Sequence, residues 1–186
     1  PGRISLRYPV ALKLLSRDAS HKTDIGGVRL NIRNKKDLLR ASAEMKSAIK
    51  KLKPRPAVDG FLVQEMAKEG AEFFVGGRRD STFGPIVMVG LGGIYIEIFK
   101  DTAIRLAPVT KREAKEMLQE LKAYPLLQGA RGEKRADINA LVDVICRVSF
   151  MMTAEAGIGQ IDLNPVIVHP QGQGVSIVDA RVFFEK

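Results

Sequence analysis

Four stretches of the chain gather side chains able to handle phosphate or a divalent cation. In YPVALKLLS, Lys13 stands in the middle of an apolar run and alternates with Leu12 and Leu14. A strand there leaves two readings of Lys13. It is an ammonium pointing to water from a half-exposed sheet, or one reaching an anionic ligand, because a buried unpaired charge is costly. The loop after it carries Ser16, Asp18, His21, Lys22, Thr23 and Asp24 into Gly26-Gly27. Glycines permit positive φ and close backbone approach, so N–H groups can face an anion, and Lys22 adds charge. His21 is either a solvated residue at a polar hairpin tip or a phosphate ligand. A neutral ring nitrogen can also accept a phosphoryl group.

The third stretch, FLVQEMAKEGAEFFVGG, interrupts an apolar run with Gln64-Glu65 before Met66 and opens the next run with Glu72. Backbone groups after a strand can pair with a base edge, and a carboxylate there can hold sugar hydroxyls. The alternative is an exposed strand end. In the fourth, GQIDLNPVIVH and VSIVDARVF, Asp162 and Asn164 alternate with Ile161 and Leu163, so they share one face of a strand. Asp179 follows the apolar run 175–178 on a facing strand. Hard oxygen donors converging from adjacent strands suit Mg²⁺, which keeps several waters and binds through a few protein oxygens plus substrate phosphates. Asn-Pro is also a common turn, and Pro165 is expected to bend the chain after Asn164.

The elements positioning these residues follow from periodicity and punctuation. Residues 9–15, 28–32, 61–66, 72–76, 86–89, 94–99 and 102–107 read as strands, with 94–107 as a hairpin. Asn34 caps a helix to about Leu52, which Pro54 and Pro56 stop. Thr110 and Glu113 form a capping box ahead of Ala114, Met117, Leu118 and Leu121. LLQGARGEKRAD reads as a mobile polar loop, and Asp137 caps a third helix whose stripe includes Leu141, Ile145 and Met152. Cys146 adjoins that stripe as a small apolar group rather than a nucleophile. Three short strands, 160–163, 166–169 and 175–179, close the chain. Hairpins separated by capped helices argue α+β, and neither G-x-x-x-x-G-K-[ST] nor a strand-linked G-x-G-x-x-G is present.

Composition narrows the function classes. The 186 residues suit one substantial domain or two small lobes, and no apolar run reaches the length of a membrane span. One cysteine excludes an intramolecular disulfide and fits a reducing, cytoplasmic setting. Of the charge excess behind the net +9, ten Lys and Arg fall between Arg29 and Arg55 against Asp37 and Glu44, mostly on the first helix. A basic solvated face is the default reading, and no zinc spacing, aromatic run or Trp supports nucleic-acid binding. The chain opens at Pro1 without Met, which reads as a fragment.

Taken in order, YPVALKLLSRDASHKTDIGGV, GFLVQEM, FGPIVMVGLGGIYIEIFKD, RLAPVT, YPLLQGARG, IDLNPVIV and VDAR resemble the ATP-grasp domain of NDP-forming acyl-CoA synthetases. The likeness is greatest to the β subunit, or β-like region, of ADP-forming acetyl-CoA synthetase, a relative of succinyl-CoA synthetase. It covers nearly the whole chain. The resemblance implies an ATP-grasp fold of two α+β lobes, about 1–60 and 61–186, holding the nucleotide between them.

It further implies that Lys13 contacts ATP or ADP phosphates, with Lys22 beside them and Gly26 and Gly27 in the turn over them. Gln64, Glu65 and Met66 fall on the adenine hinge, with Glu72 near the nucleotide. Asn164 and Asp179 correspond to Mg²⁺ ligands, and Asp162 to an acid approaching the phosphorylated loop. His21 is implied as the phosphoryl carrier, and Glu97 and Arg105, facing across the expected hairpin, as members of the same site. The implied reaction is acyl-CoA + ADP + phosphate ⇌ carboxylic acid + CoA + ATP, this part supplying the phosphohistidine-to-ADP step. The implied partner is a CoA-binding α subunit or α-like domain, in a hetero-oligomer or a longer chain, with neither nucleic acid nor membrane involved. PGRISLRYPV compresses a segment that in the family holds a helix before the lysine strand, so an incomplete first lobe is expected. The alternative is a synthetase-like regulatory domain of a protein lysine acetyltransferase, without activity of its own.

Overall fold

The computed structural model describes residues 6–16, 25–54, 56–92, 101–132 and 134–185. Its chain divides into two compact units, Pro1–Met66 and Ala67–Lys186. The division falls after residue 66 rather than after residue 60. The reason is that β3 (Gly60–Glu65) pairs along its whole length with β1 (Val10–Leu15), from Val10↔Glu65 to Leu15↔Gly60.

In the first unit β1 is the middle of a three-stranded antiparallel sheet, order β2-β1-β3, with β2 spanning Val28–Ile32. Alternation sends Val10, Leu12 and Leu14 to one face, where they are buried with Met45 and Ile49 of α1 (Lys35–Lys50). The Asn34 side chain caps α1 by accepting from the Asp37 amide at 2.9 Å, as the sequence predicts. The basic residues Lys35, Lys36, Arg40, Lys46 and Lys50 of α1 are all exposed, so the charge excess there is a solvated face.

The second unit is a six-stranded antiparallel sheet. It contains β4 (Ala71–Asp80), β5 (Gly84–Leu91), β6 (Thr102–Leu106), β7 (Ile158–Val168), β8 (Val175–Ile177) and β9 (Ala180–Phe184). The order is β6-β5-β4-β7-β8, and β9 also pairs with β7. Helices α2 (Lys111–Glu120) and α4 (Ile138–Ala154) cover one face, burying Phe73, Val75, Val87 and Val89 against Met117 and Ile145. Helix α4 lies so close to β4 that a Cβ on Gly77 would stand 2.4 Å from Met152 Cγ. Only glycine fits there.

Fixed carboxylates hold the helical layer. The Thr110–Glu113 capping box opens α2, with the Thr110 amide donating to Glu113 Oε2 at 2.7 Å. Asp101 is buried, and its two oxygens accept from the Lys122 and Ala123 amides, each at 2.8 Å. Asp137 caps α4 through the Ala140 amide at 3.2 Å and also accepts from the Gly172 and Gly174 amides at 2.9 Å. The 126–137 stretch, read as loop from sequence, holds the second half of α3 (Tyr124–Leu127), a 3₁₀ turn at Ala130–Gly132 and a bridge between Ala136 and Pro170.

The closing strands differ from the sequence expectation. Instead of breaking at Asn164-Pro165, residues 158–168 form one strand of 11 residues. The break is absorbed by a β-bulge. Phe73 pairs with Val166 and Val75 with Leu163, so Asn164 and Pro165 together stand opposite Phe74. The core positions consequently step from Leu163 to Val166 and stay buried. Beyond Asp179 the chain adds β9, which the sequence reading stopped short of.

Candidate functional site

In the first unit the face of β1 away from α1 carries Lys13. Its cross-strand neighbours are Val28 and Leu62, and the side chain is half-buried. The next position on the same face, Ala11, pairs with Gln64. Gln64 therefore stands diagonal to Lys13 on that face. Glu65 ends β3, and its Oε1 accepts the Arg7 amide at 2.9 Å, while the Met66 amide donates to Pro9 O at 3.1 Å. The Gly26-Gly27 turn docks directly beside the lysine. Gly26 has φ +69°, which favours glycine, and Gly27 O accepts the Leu14 amide at 2.8 Å. The Arg29 guanidinium braces the same turn through Gly26 O at 3.1 Å. His21, Lys22 and Glu97 lie outside the described residues.

In the second unit the sheet face opposite the helices carries the oxygen donors. Asp162 and Asn164 of β7 are half-buried and point away from the core residues Ile161 and Leu163. Asp179 lies in the link between β8 and β9, directly beside Asn164, whose amide donates to Asp179 O at 3.2 Å. The Val178 amide likewise donates to Pro165 O at 3.0 Å, so the ribbon β8–link–β9 follows β7 in constant register from Val168 to Gln160. The structure thus brings Asp162, Asn164 and Asp179 together. It adds Arg181, which pairs with Asp162 across β7 and β9 and reaches Asp179 Oδ2 at 3.7 Å.

Burial pushes the Asp162 carboxyl above the usual carboxylate range; Arg181 works against that shift and Asp179 adds to it. Among the described residues, no hydrogen bond reaches the Asp162 carboxylate. Nor do three residues drawn from His, Cys, Asp and Glu converge into a metal cage among them. Two carboxylates and an amide oxygen, all hard donors on an open face, fit Mg²⁺ held jointly with phosphate oxygens rather than a closed resident site.

Two expected members stand apart from this group. Glu72 is exposed at the start of β4, opposite Ile167. Arg105 pairs with fully buried Val87, which places it on the helix-covered face, where its guanidinium bridges to Glu120 of α2. The hairpin reading missed this because it could not fix which face β6 presents once β5 is its partner. Sequence reasoning also left Arg181 without a role, although its spacing two residues past Asp179 places both on one face. Cys146 has its thiol pushed up by burial, consistent with an unreactive packing residue. The second histidine, His169, is a buried structural residue whose Nε2 lies 2.8 Å from Ser176 Oγ.

One unit thus carries a lysine beside a glycine turn and the other an open antiparallel sheet face bearing oxygen donors. The ATP-grasp domain model matches residues 4–184, and the chain belongs to the ATP-grasp family. Within it, the chain is 42% identical over 96% of its length to the acetate–CoA ligase [ADP-forming] II subunit beta of Pyrococcus furiosus, covering 76% of that subunit. It is 46% identical over 96% of its length to acetate–CoA ligase [ADP-forming] I of Archaeoglobus fulgidus, but spans only 26% of that protein. A solved structure of acetyl-coenzyme A synthetase 1 of Ca. Korarchaeum cryptofilum, in complex with coenzyme A, Ca-AMPCP and HgCl+, superposes with a TM-score of 0.90 at 40% identity. That match covers 97% of this chain and 78% of the other. Another structure of that enzyme, with coenzyme A and Mg-AMPPCP, has its phosphohistidine segment pointing towards the nucleotide binding site, at a TM-score of 0.80 and 39% identity.

Proposed function

We propose that this chain is the nucleotide-binding catalytic domain of an ADP-forming acyl-CoA ligase, acting on acetyl-CoA or a similar acyl-CoA. The observation that carries the reading is the Asp162–Asn164–Asp179 group: oxygen donors in register on an open face whose carboxylates, among the described residues, lack the backbone amide partners that Asp101 and Asp137 have.

Asn164 and Asp179 would hold Mg²⁺, which when bound neutralises nucleotide phosphate charge. Lys13 is the phosphate-contacting lysine, and the Gly26-Gly27 turn supplies backbone donors. Gln64, Glu65 and Met66 receive the base and Glu72 the sugar. His21 carries the phosphoryl group. In the ATP-forming direction its N–P bond breaks as a terminal ADP phosphate oxygen bonds to phosphorus; the bonding pair stays on that nitrogen and the ring, protonated on its other nitrogen, leaves as a neutral imidazole. The residues hold these reactants in line, and catalysis of this transfer is largely positioning and charge stabilisation. Asp162, half-buried on the face that carries Asn164, is the acid that orients the carrier's ring. The CoA and acyl-phosphate steps belong to a CoA-binding partner subunit or domain. Among the described residues no helix is long and apolar enough to cross a membrane, and we place the reaction in the cytoplasm.

Calorimetry with Mg²⁺ present tests the core of this reading. ADP binding is expected in the wild type, with Lys13→Ala weakening it about thirtyfold, the worth of one charge-assisted hydrogen bond. No ADP binding by the intact protein defeats the proposal. A coupled ATP-forming assay with the CoA-binding partner added then tests the carrier: His21→Ala should abolish turnover and keep ADP binding.

A further inference from the structure

Arg181 is fixed by the ladder between two carboxylates. It stands directly across from Asp162 and two residues beyond Asp179 on the same face. On the other side of Asp162 the register neighbour is Gly76, which offers no side chain. Among the described residues, the guanidinium is therefore the only charged side chain flanking Asp162 along that row of the sheet. Its Nη2 sits 3.7 Å from Asp179 Oδ2, beyond hydrogen-bond length, with both side chains about a third exposed (32% and 39%). Such a loose pair is weak and is re-aimed at little cost.

We propose that Arg181 is a positioning residue that sets cation and phosphate affinity in opposite directions. It occupies Asp179 while the acidic end is free of metal, and turns its planar fork to phosphate oxygens once a divalent cation takes that carboxylate. This rests on the assignment of Asp179 and Asn164 as the Mg²⁺ ligands above. The physical reason is a sign difference. A permanent positive charge beside Asp179 repels a divalent cation, and the same charge attracts the phosphate that follows.

The test uses the intact protein, with Mn²⁺ as a paramagnetic probe without nucleotide, and ADP calorimetry at saturating Mg²⁺. R181Q should tighten Mn²⁺ binding about tenfold, as removal of a like charge at a half-exposed site implies, and weaken ADP binding about tenfold. R181K keeps the charge but not the fork, so it should leave Mn²⁺ affinity near wild type and still weaken ADP binding. Unchanged Mn²⁺ affinity in R181Q overturns the proposal, as does weakening of both ligands together in both variants, the mark of a purely structural role. Wild-type protein that binds Mn²⁺ but not ADP would instead defeat the functional reading, while the Mn²⁺ comparison would still decide the part played by Arg181.

Discussion

Two pairs of aspartates in the second unit meet the same chemical problem with opposite outcomes. Asp101 and Asp137, in the helical layer, have their oxygens filled by backbone amides at 2.8–3.2 Å. Asp162 and Asp179, on the open sheet face, have one loose arginine between them. A desolvated carboxylate with fixed donors contributes to stability, whereas one without them costs stability. The difference separates acids that hold the fold from acids kept available for something that comes and goes.

Substitutions can sharpen or break that contrast. The largest effect is expected at Asp101. Asp101→Ala leaves two amides without acceptors, costing about 3 kcal/mol, seen as a fall of roughly 10 °C in thermal midpoint. ADP affinity measured well below that midpoint should hardly move. Asp179→Ala should behave in the reverse way. Its stability stays within about 0.5 kcal/mol of wild type, while Mg²⁺-dependent ADP affinity drops about a hundredfold, since even partners outside the ligand shell are worth 10–100-fold. If chemical denaturation instead showed D179A badly destabilised, the contrast would collapse.

Asp137→Ala should lose about 1–2 kcal/mol, a helix cap plus two turn contacts, readable as a shifted denaturation midpoint. Asp162→Asn is expected to have the smallest effect, and of opposite sign. Because the folded-state pKa of Asp162 is raised, folding favours its protonated form, and stability is lost as pH rises from the ordinary value of 3.8 through the folded one. The amide variant escapes that loss. D162N should therefore match or exceed wild-type stability at neutral pH, with the gap closing in acid below both pKa values. A pH series of melting curves checks it.

How much of this was legible beforehand depends on what kind of signal each residue sends. Asn34, Thr110 and Asp137 announce helix starts because capping is local, and each cap appears where the spacing puts it. Asp162, Asn164 and Asp179 were readable as one face because strand alternation is also local. Pro165 misled, since proline in a run ordinarily ends a strand; only pairing with β4 shows a bulge taking up the irregularity. Arg105 misled for the same reason, as its orientation depends on a partner strand that short-range pattern cannot identify. The run Val182-Phe183-Phe184 carried the β-forming composition that could have revealed the last strand.

The bulge opposite Phe74 also bears on how this chain tolerates change. A strand is read two residues at a time, and the extra residue at Asn164-Pro165 lets the hydrophobic beat before it and the one after it both land on the helices. Swapping side chains along β7 alters one contact each. Losing one residue of Asn164-Pro165 would give up the bulge yet leave Leu163 and Val166 on one face, whereas a deletion elsewhere in β7 would reverse the phase of everything on one side, exposing Val168 or else turning Asp162 into the core. Away from the bulge, length is under tighter constraint than identity, so natural or engineered variants should accept many substitutions in β7 before they accept one deletion outside Asn164-Pro165.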